Sequence, residues 1–185
     1  MAAMAETPPT MTRTRPNILI TGTPGAGKTN TSSMVAERTG LRHVECSELV
    51  KSEGCHEGWD EEFQSYTLDE DKLCDVLEPM MAEGGIVVDF HSCDFFPERW
   101  FDLVLVLTCD NTALYDRLVE RGYAAKKVEE NVQCEIMQVV LQEAKESYAE
   151  EVVHQVTSDT IDDMESNVNR VAQWMEQWVA DNGES

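Results

Sequence analysis

Residues 22 to 29 read Gly-Thr-Pro-Gly-Ala-Gly-Lys-Thr and satisfy every fixed position of the phosphate-binding pattern G-x-x-x-x-G-K-[ST]. The chemistry behind that pattern is a tight loop whose backbone N–H groups converge on one anion. Gly22, Gly25 and Gly27 allow the positive-φ turns and the close backbone approach this requires. Lys28 is then placed to reach the β- and γ-phosphates, and the Thr29 hydroxyl to ligand Mg²⁺. The octet predicts a nucleoside triphosphate site. A second acid belongs with it. Asp89 closes the run Ile86-Val87-Val88-Asp89 in the position of a Walker B acid, which orients Mg²⁺ through its water shell. The bland reading is an acid that merely stops a strand, but placement at a strand end favours the functional one. The segment from His91 to Trp100 is dense in polar and aromatic groups and leaves the carboxyl end of that strand. Phe95 and Phe96 suit either the faces of a base or the closing of a core. Arg99 suits either a phosphate or one of many acids. His91 could position an attacking water, or could simply hydrogen-bond the loop backbone.

These residues need a frame that brings two strand ends together. Asn17 to Thr21 is a short apolar run before the loop, and Asn30 to Thr39 continues as a helix whose N-terminal dipole adds to the anion site. Short apolar runs then alternate with amphipathic ones, which predicts a three-layer α/β/α domain with a central parallel sheet of about five strands. His43 to Cys46, Ile86 to Asp89, Phe101 to Thr108 and Val152 to Val156 are the further strands. Ser47 to Ser52 is a brief helix, and Asp69 to Ala82 a longer one capped by Asp69 and ended by Gly84-Gly85. Glu53 to Thr67 is polar, aromatic and acidic, with Gly54 and Gly58 breaking any regular pattern. Asn111 to Glu120 is helical until Gly122, and a basic stretch with Lys126 and Lys127 follows. Glu130 to Ala149 reads as one long helix with Val132, Ile136, Val139, Val140 and Ala144 on one face. The final helix carries a packing stripe of Ile161, Met164, Val168, Val171, Met175 and Trp178.

A chain of 185 residues with 42% apolar residues suits one domain with a sizeable core. Met1 to Arg15 lacks an apolar h-region and reads as a disordered tail rather than a signal peptide. No apolar run is long enough to span a membrane. The six scattered cysteines form no C-x-x-C pair, which points to reduced thiols and away from a zinc site. Fourteen basic residues against thirty-six acidic ones leave a net charge of −22. That balance disfavours direct binding to nucleic acid and favours a basic protein partner, or serves solubility alone. A Ras-like GTPase is set aside: there is no Asn-Lys dipeptide, and Ser92 stands where an Asp-x-x-Gly glycine would follow Asp89.

The P-loop octet, the run Val-Val-Asp-Phe-His-Ser-Cys-Asp-Phe-Phe-Pro-Glu-Arg-Trp, the later Arg-Leu-Val-Glu-Arg-Gly-Tyr and Asn-Val-Gln-Cys-Glu-Ile occur in that order. In them, from about Pro16 to about Asp181, the chain resembles the adenylate kinase isoenzyme 6 family of P-loop nucleoside monophosphate kinases. The resemblance implies transfer of the ATP γ-phosphoryl group to AMP or a related monophosphate, with a separate ATPase activity and a role in small ribosomal subunit maturation. It implies one kinase domain over residues 16–185, an acceptor-binding lobe at about 45–68 and a short lid at about 120–130. Gly25, Gly27, Lys28, Thr29 and Asn30 would hold the ATP phosphates, Thr29 and Asp89 the Mg²⁺, and Arg121 would meet ATP from the lid. Asn30 departs from the second threonine common at this point. The resemblance favours a functional His91. Lys51 stands where an arginine facing the acceptor phosphate is expected, keeping the charge but losing the bidentate fork. Few arginines near the lid predict modest transfer rates and leakage to water. A basic small-subunit ribosomal protein is the expected partner, the nucleus and cytoplasm the expected setting, and a monomer the expected state. The alternative is an ATPase switch that acts mainly in ribosome assembly through that partner.

Overall fold

The computed structural model describes residues 13–183. At its centre is strand β1 (Ile18–Gly22), flanked by β5 (Ile86–Asp89) and β6 (Leu103–Thr108), with β2 (Arg42–Glu45) and β7 (Val153–Thr157) at the edges. All four pairings are parallel. The three inner strands are almost continuously apolar because helices cover both faces. Alternation along each strand then sorts their side chains into two cores. Leu19, Val88, Val104 and Val106 meet Leu73, Leu77 and Met81 of α3 (Glu70–Glu83) and Val140, Leu141 and Ala144 of α6 (Val139–Ser147). Ile18, Ile20, Val87 and Leu105 meet Val35 of α1 (Lys28–Thr39), Leu114 and Leu118 of α4 (Asn111–Glu120), and Val168, Val171 and Met175 of α7 (Ile161–Asn182). The expected three-layer α/β/α architecture with five parallel strands is the fold of the protein.

The register sets the site. Ile20 of β1 is level with Asp89 of β5, so the glycine loop leaves its strand beside the end of the Asp89 strand. Asn17 locks the opposite end of the sheet. Its buried amide donates to the Met81 and Trp100 carbonyls at 2.9 Å each, while Ile86 N donates to its Oδ1 at 3.2 Å. Asp69 caps α3 by accepting from Lys72 N, as its position in the chain suggests. Of the expected tail, residues 1–12 lie outside the described residues. Arg13 is tied down within them, with Nη2 donating to Asp102 Oδ2 at 2.9 Å, and Arg15 donates to the Thr39 and Gly40 carbonyls.

Several segments differ from the pattern read along the chain. Residues 53–67 do hold regular structure: β3 (His56–Asp60) and β4 (Ser65–Leu68) form an antiparallel hairpin after the short helix α2 (Cys46–Ser52). Its ladder is irregular between His56 and Trp59, where Gly58 takes φ 124°, and an edge-to-face Trp59–Tyr66 pair at 5.1 Å holds the strands. A glycine there bends the strand instead of ending it. The single long helix expected from Glu130 is two: α5 (Ala125–Ile136) and α6. Gln138 between them sits in the left-handed region at φ 53°. The turn resets the helical phase, leaving Ile136 52% exposed while Val140 and Ala144 are buried. At the start of α7, Ile161 is likewise 70% exposed, so the packing stripe begins later than its spacing suggests.

Gln138 carries a testable penalty. A non-glycine residue in the left-handed region loses on the order of 1 kcal/mol to crowding at Cβ. Gln138→Gly is therefore expected to raise the urea midpoint of unfolding, by the equivalent of about 0.5 kcal/mol after the entropy of the added glycine is deducted. A lowered midpoint would show that the Gln138 side chain contributes more than the turn strains.

Candidate active site

The glycine loop is shaped by two glycines at positions where any side chain would be strained. Gly25 adopts φ 94°, and a Cβ there would stand 2.9 Å from Leu114 Cδ1 and 3.0 Å from Leu118 Cδ2 of α4. Gly27, also at φ 94°, is the N-terminal cap of α1. The backbone amides that open α1 therefore face the loop, with the positive end of the helix dipole behind them. Lys28 folds back across the loop, its Nζ donating to the Thr23 carbonyl at 3.2 Å. Burial draws the Lys28 ammonium down to a pKa of about 8; Asp89 and Glu135 oppose that shift and Arg121 adds to it.

Thr29 Oγ1 donates to Asp89 Oδ2 at 2.7 Å, joining two residues sixty positions apart. Asp89 is 3% exposed, and His43 Nε2 also lies 3.2 Å from Oδ2. Two hard oxygen donors at the mouth of a phosphate loop fit Mg²⁺, which keeps several waters and binds through one or two side chains plus substrate phosphates. Among the described residues no group of three His, Cys, Asp or Glu could hold a metal alone.

Lys28, Thr29, Asp89, His91 and Arg121 line one cleft of about 640 Å³. Lys51 of α2, Phe63 and Ser65 of the hairpin, and Lys127 of α5 line the same cleft. Gly25 and Gly27 shape the loop beneath the cleft, and the Asn30 side chain is exposed outside its lining. His91 packs against Phe90 at 4.4 Å. Desolvation by the cleft walls pushes its pKa down to about 4, with Lys28 and Lys127 adding to the drop and Asp89 opposing it. The residue is nonetheless exposed to solvent, so the desolvation is partial. A wider opening of about 700 Å³ lies between α1 and α7, lined by Arg38, Asn169 and Met175, where no set of charges converges.

The two open readings at residues 95–99 resolve in favour of structure. Phe96 is 5% exposed and joins Phe90, Phe95, Trp100 and Phe101 in an aromatic cluster within the core. Arg99 pairs with Glu78 at 2.9 Å on the surface. Three residues that the chain gave little reason to single out do matter to the cleft. His43 touches Asp89. Arg117 clamps two loops, with Nη1 donating to the Gly25 and Ser158 carbonyls at 3.3 and 2.9 Å and Nη2 to the Asp159 carbonyl at 2.8 Å. Its signals were its place at the head of the run Arg-Leu-Val-Glu-Arg-Gly-Tyr and the spacing to Arg121, which puts both on one helix face. Glu135 is buried against the glycine loop, and its signal was its place in the run Asn-Val-Gln-Cys-Glu-Ile.

A glycine loop on the central strand, with an acid at the end of its neighbour in a five-stranded parallel sheet, defines a P-loop nucleotide-binding fold. The solved shikimate kinase from Acinetobacter baumannii in complex with shikimate shares the fold, with a TM-score of 0.60 over 88% of this chain and 94% of that one at 16% identity. A family model described as an AAA domain matches residues 18–138. The adenylate kinase isoenzyme 6 homolog of Dictyostelium discoideum is 51% identical over 170 residues, covering 92% of this chain and 97% of the relative. That of Caenorhabditis elegans is 49% identical over 164 residues, covering 88% and 90%. The chain belongs to the adenylate kinase isoenzyme 6 family of P-loop nucleotide kinases.

Proposed function

We propose that the protein transfers the γ-phosphoryl group of ATP to AMP, or to dAMP or CMP, and releases part of it to water. The observation that carries this reading is one cleft lined by Lys28, Thr29, Asp89, His91 and Arg121 together with a cation from the short helix α2, Lys51. Such a cleft has room for a donor on the glycine loop and an acceptor phosphate opposite. An acceptor phosphate is already ionised, so no general base is needed and catalysis rests on alignment and charge neutralisation. The amides around Gly25, Gly27 and Asn30 would hold the donor phosphates, and Lys28 would meet the transferred group from one side and Arg121 from the other. Thr29 and Asp89 would hold Mg²⁺, which when bound would offset the charge of the phosphates. The hairpin, within a lobe at about 45–68, and a lid at about 120–130 would close over the acceptor and exclude water. A neutral His91 would orient the water that enters when closure is incomplete.

Lys51 is exposed, and its nearest partner is Glu48 at 3.5 Å. One point charge shared with a carboxylate grips a phosphate less firmly than a guanidinium fork. Lys51→Arg is expected to lower the acceptor KM about threefold at unchanged kcat. An unchanged acceptor KM would remove Lys51 from the phosphate site.

The test of the whole reading is ADP formation from Mg·ATP, alone and with AMP, CMP, GMP or UMP, resolving every nucleotide. Consumption of AMP with about two ADP formed per ATP used is the expected result. ADP and inorganic phosphate without loss of any monophosphate would favour the second reading, an ATPase switch in small ribosomal subunit maturation. The acidic surface supports that reading, with a basic ribosomal protein as partner and the nucleus and cytoplasm as the setting. The two activities are compatible in one molecule.

A further inference from the structure

Helix α5 touches both halves of the cleft. At its first turn Lys126 Nζ lies 4.0 Å from Glu62 Oε1, and Lys127 Nζ donates to the Gln64 carbonyl at 3.4 Å, so two exposed lysine side chains link the helix to the tip of the hairpin. Eight residues further on, about 12 Å along the axis, Glu135 is 8% exposed and uses both carboxylate oxygens. Oε2 accepts from Thr23 Oγ1 in the glycine loop at 2.6 Å, and Oε1 accepts from Cys109 N, just past the end of β6, at 3.0 Å. The bond to Thr23 is short, as a bond to an ionised acceptor should be. A buried carboxylate is costly unless both oxygens are satisfied. A neutral side chain would pack more cheaply there, so its presence calls for a reason beyond packing. The chain of contacts continues, because the carbonyl of the same Thr23 receives the Lys28 ammonium at 3.2 Å.

We infer that Glu135 is a positioning residue: it transmits the seating of α5 on the hairpin to Thr23, and through Thr23 to the Lys28 end of the glycine loop. The inference rests on the phosphoryl-transfer reading of the cleft. In the ground state ATP would be held largely by the loop's backbone amides, whereas Glu135 bonds the Thr23 side chain and Cys109 N. What it sets is the placement of the loop and its lysine against the group in flight, so its loss falls on kcat and spares the ATP KM. Glutamine in its place keeps the volume and still accepts from Cys109 N. Its amide N–H₂ would then face the Thr23 hydroxyl, which must reverse and accept, and the charge-assisted bond is lost.

The test measures loss of the ATP γ-phosphoryl group to any acceptor, water included, at saturating Mg·ATP with and without AMP. Glu135→Gln is expected to lower kcat about 30-fold with the ATP KM within about threefold of the parent. Thr23→Val breaks the same bond from the loop side and should show the same split, which keeps the test readable if the first variant does not fold. The double variant should be no slower than the slower single one, since both remove one interaction. An unchanged kcat, a loss confined to KM, or single losses that multiply in the double variant would each overturn the inference. The two readings fail separately. A parent protein that hydrolyses ATP and leaves AMP untouched sinks the transfer reading only, while full-speed variants of a parent that converts AMP sink the role of Glu135 only.

Discussion

Replacement of Lys28 by methionine is expected to lower γ-phosphoryl turnover about a thousandfold, the upper end of what one preorganised charge contributes in a water-poor site. The ammonium is the cation built into the loop itself, held by the Thr23 carbonyl at 3.2 Å. Arg121, the other cation proposed to meet the transferred group, is exposed at the end of α4 and cannot take its place without moving. Burial already disfavours the charged form of Lys28, drawing its pKa to about 8. A triphosphate arriving at the loop reverses that bias, because it brings negative charge against the amine. Methionine keeps the unbranched stem and its packing, so the melting temperature should move by no more than a few degrees. Steady-state turnover and thermal melting of the same preparation check both halves. A fall of less than tenfold with melting preserved would mean that the loop amides and Arg121 carry the charge without Lys28.

Asp89→Asn is expected to produce the second largest loss, about 100-fold in turnover, with ATP binding retained within about tenfold. Asparagine keeps the shape and can still accept from Thr29 Oγ1, which now meets Asp89 Oδ2 at 2.7 Å. What disappears is the negative charge that makes this oxygen pair suitable for Mg²⁺. The concentration of Mg²⁺ giving half-maximal turnover should therefore rise, and a Mg²⁺ titration of both proteins measures it. Stability should not fall by more than about 1 kcal/mol, since a buried carboxylate is replaced by a neutral isostere. A variant with full turnover and an unshifted Mg²⁺ midpoint would return Asp89 to the role of an acid that merely ends a strand.

Both variants act on residues that were legible before any coordinates, and the reason is local. A phosphate loop needs glycines at fixed steps along the chain, so its pattern is written in eight consecutive letters. The strand end at Asp89 and the Asp69 cap are equally local. The hairpin escaped notice because its signal lies in cross-strand pairing, Trp59 with Tyr66, which glycine punctuation conceals. The break between α5 and α6 escaped notice because a left-handed Gln138 has no sequence signature; glycine or asparagine would have announced it. The aromatic run after Asp89 showed the reverse problem. Its density marked importance correctly, yet only packing could show that Phe96 closes the core and that Arg99 answers Glu78.

The sequence by itself determined the P-loop, the five strands of the parallel sheet and the family. Those follow from short-range rules: periodicity, capping, and the glycine spacing an anion demands. Tertiary structure alone decided which distant groups meet. Thr29 reaches Asp89 across sixty residues, Thr23 reaches Glu135 across 112, and Arg117 ties Gly25 to Ser158. Such contacts depend on the order in which strands lie side by side and on the turn that redirects α5. Sheet order and register arise from burying two apolar faces at once, a property of the whole chain that no segment carries alone.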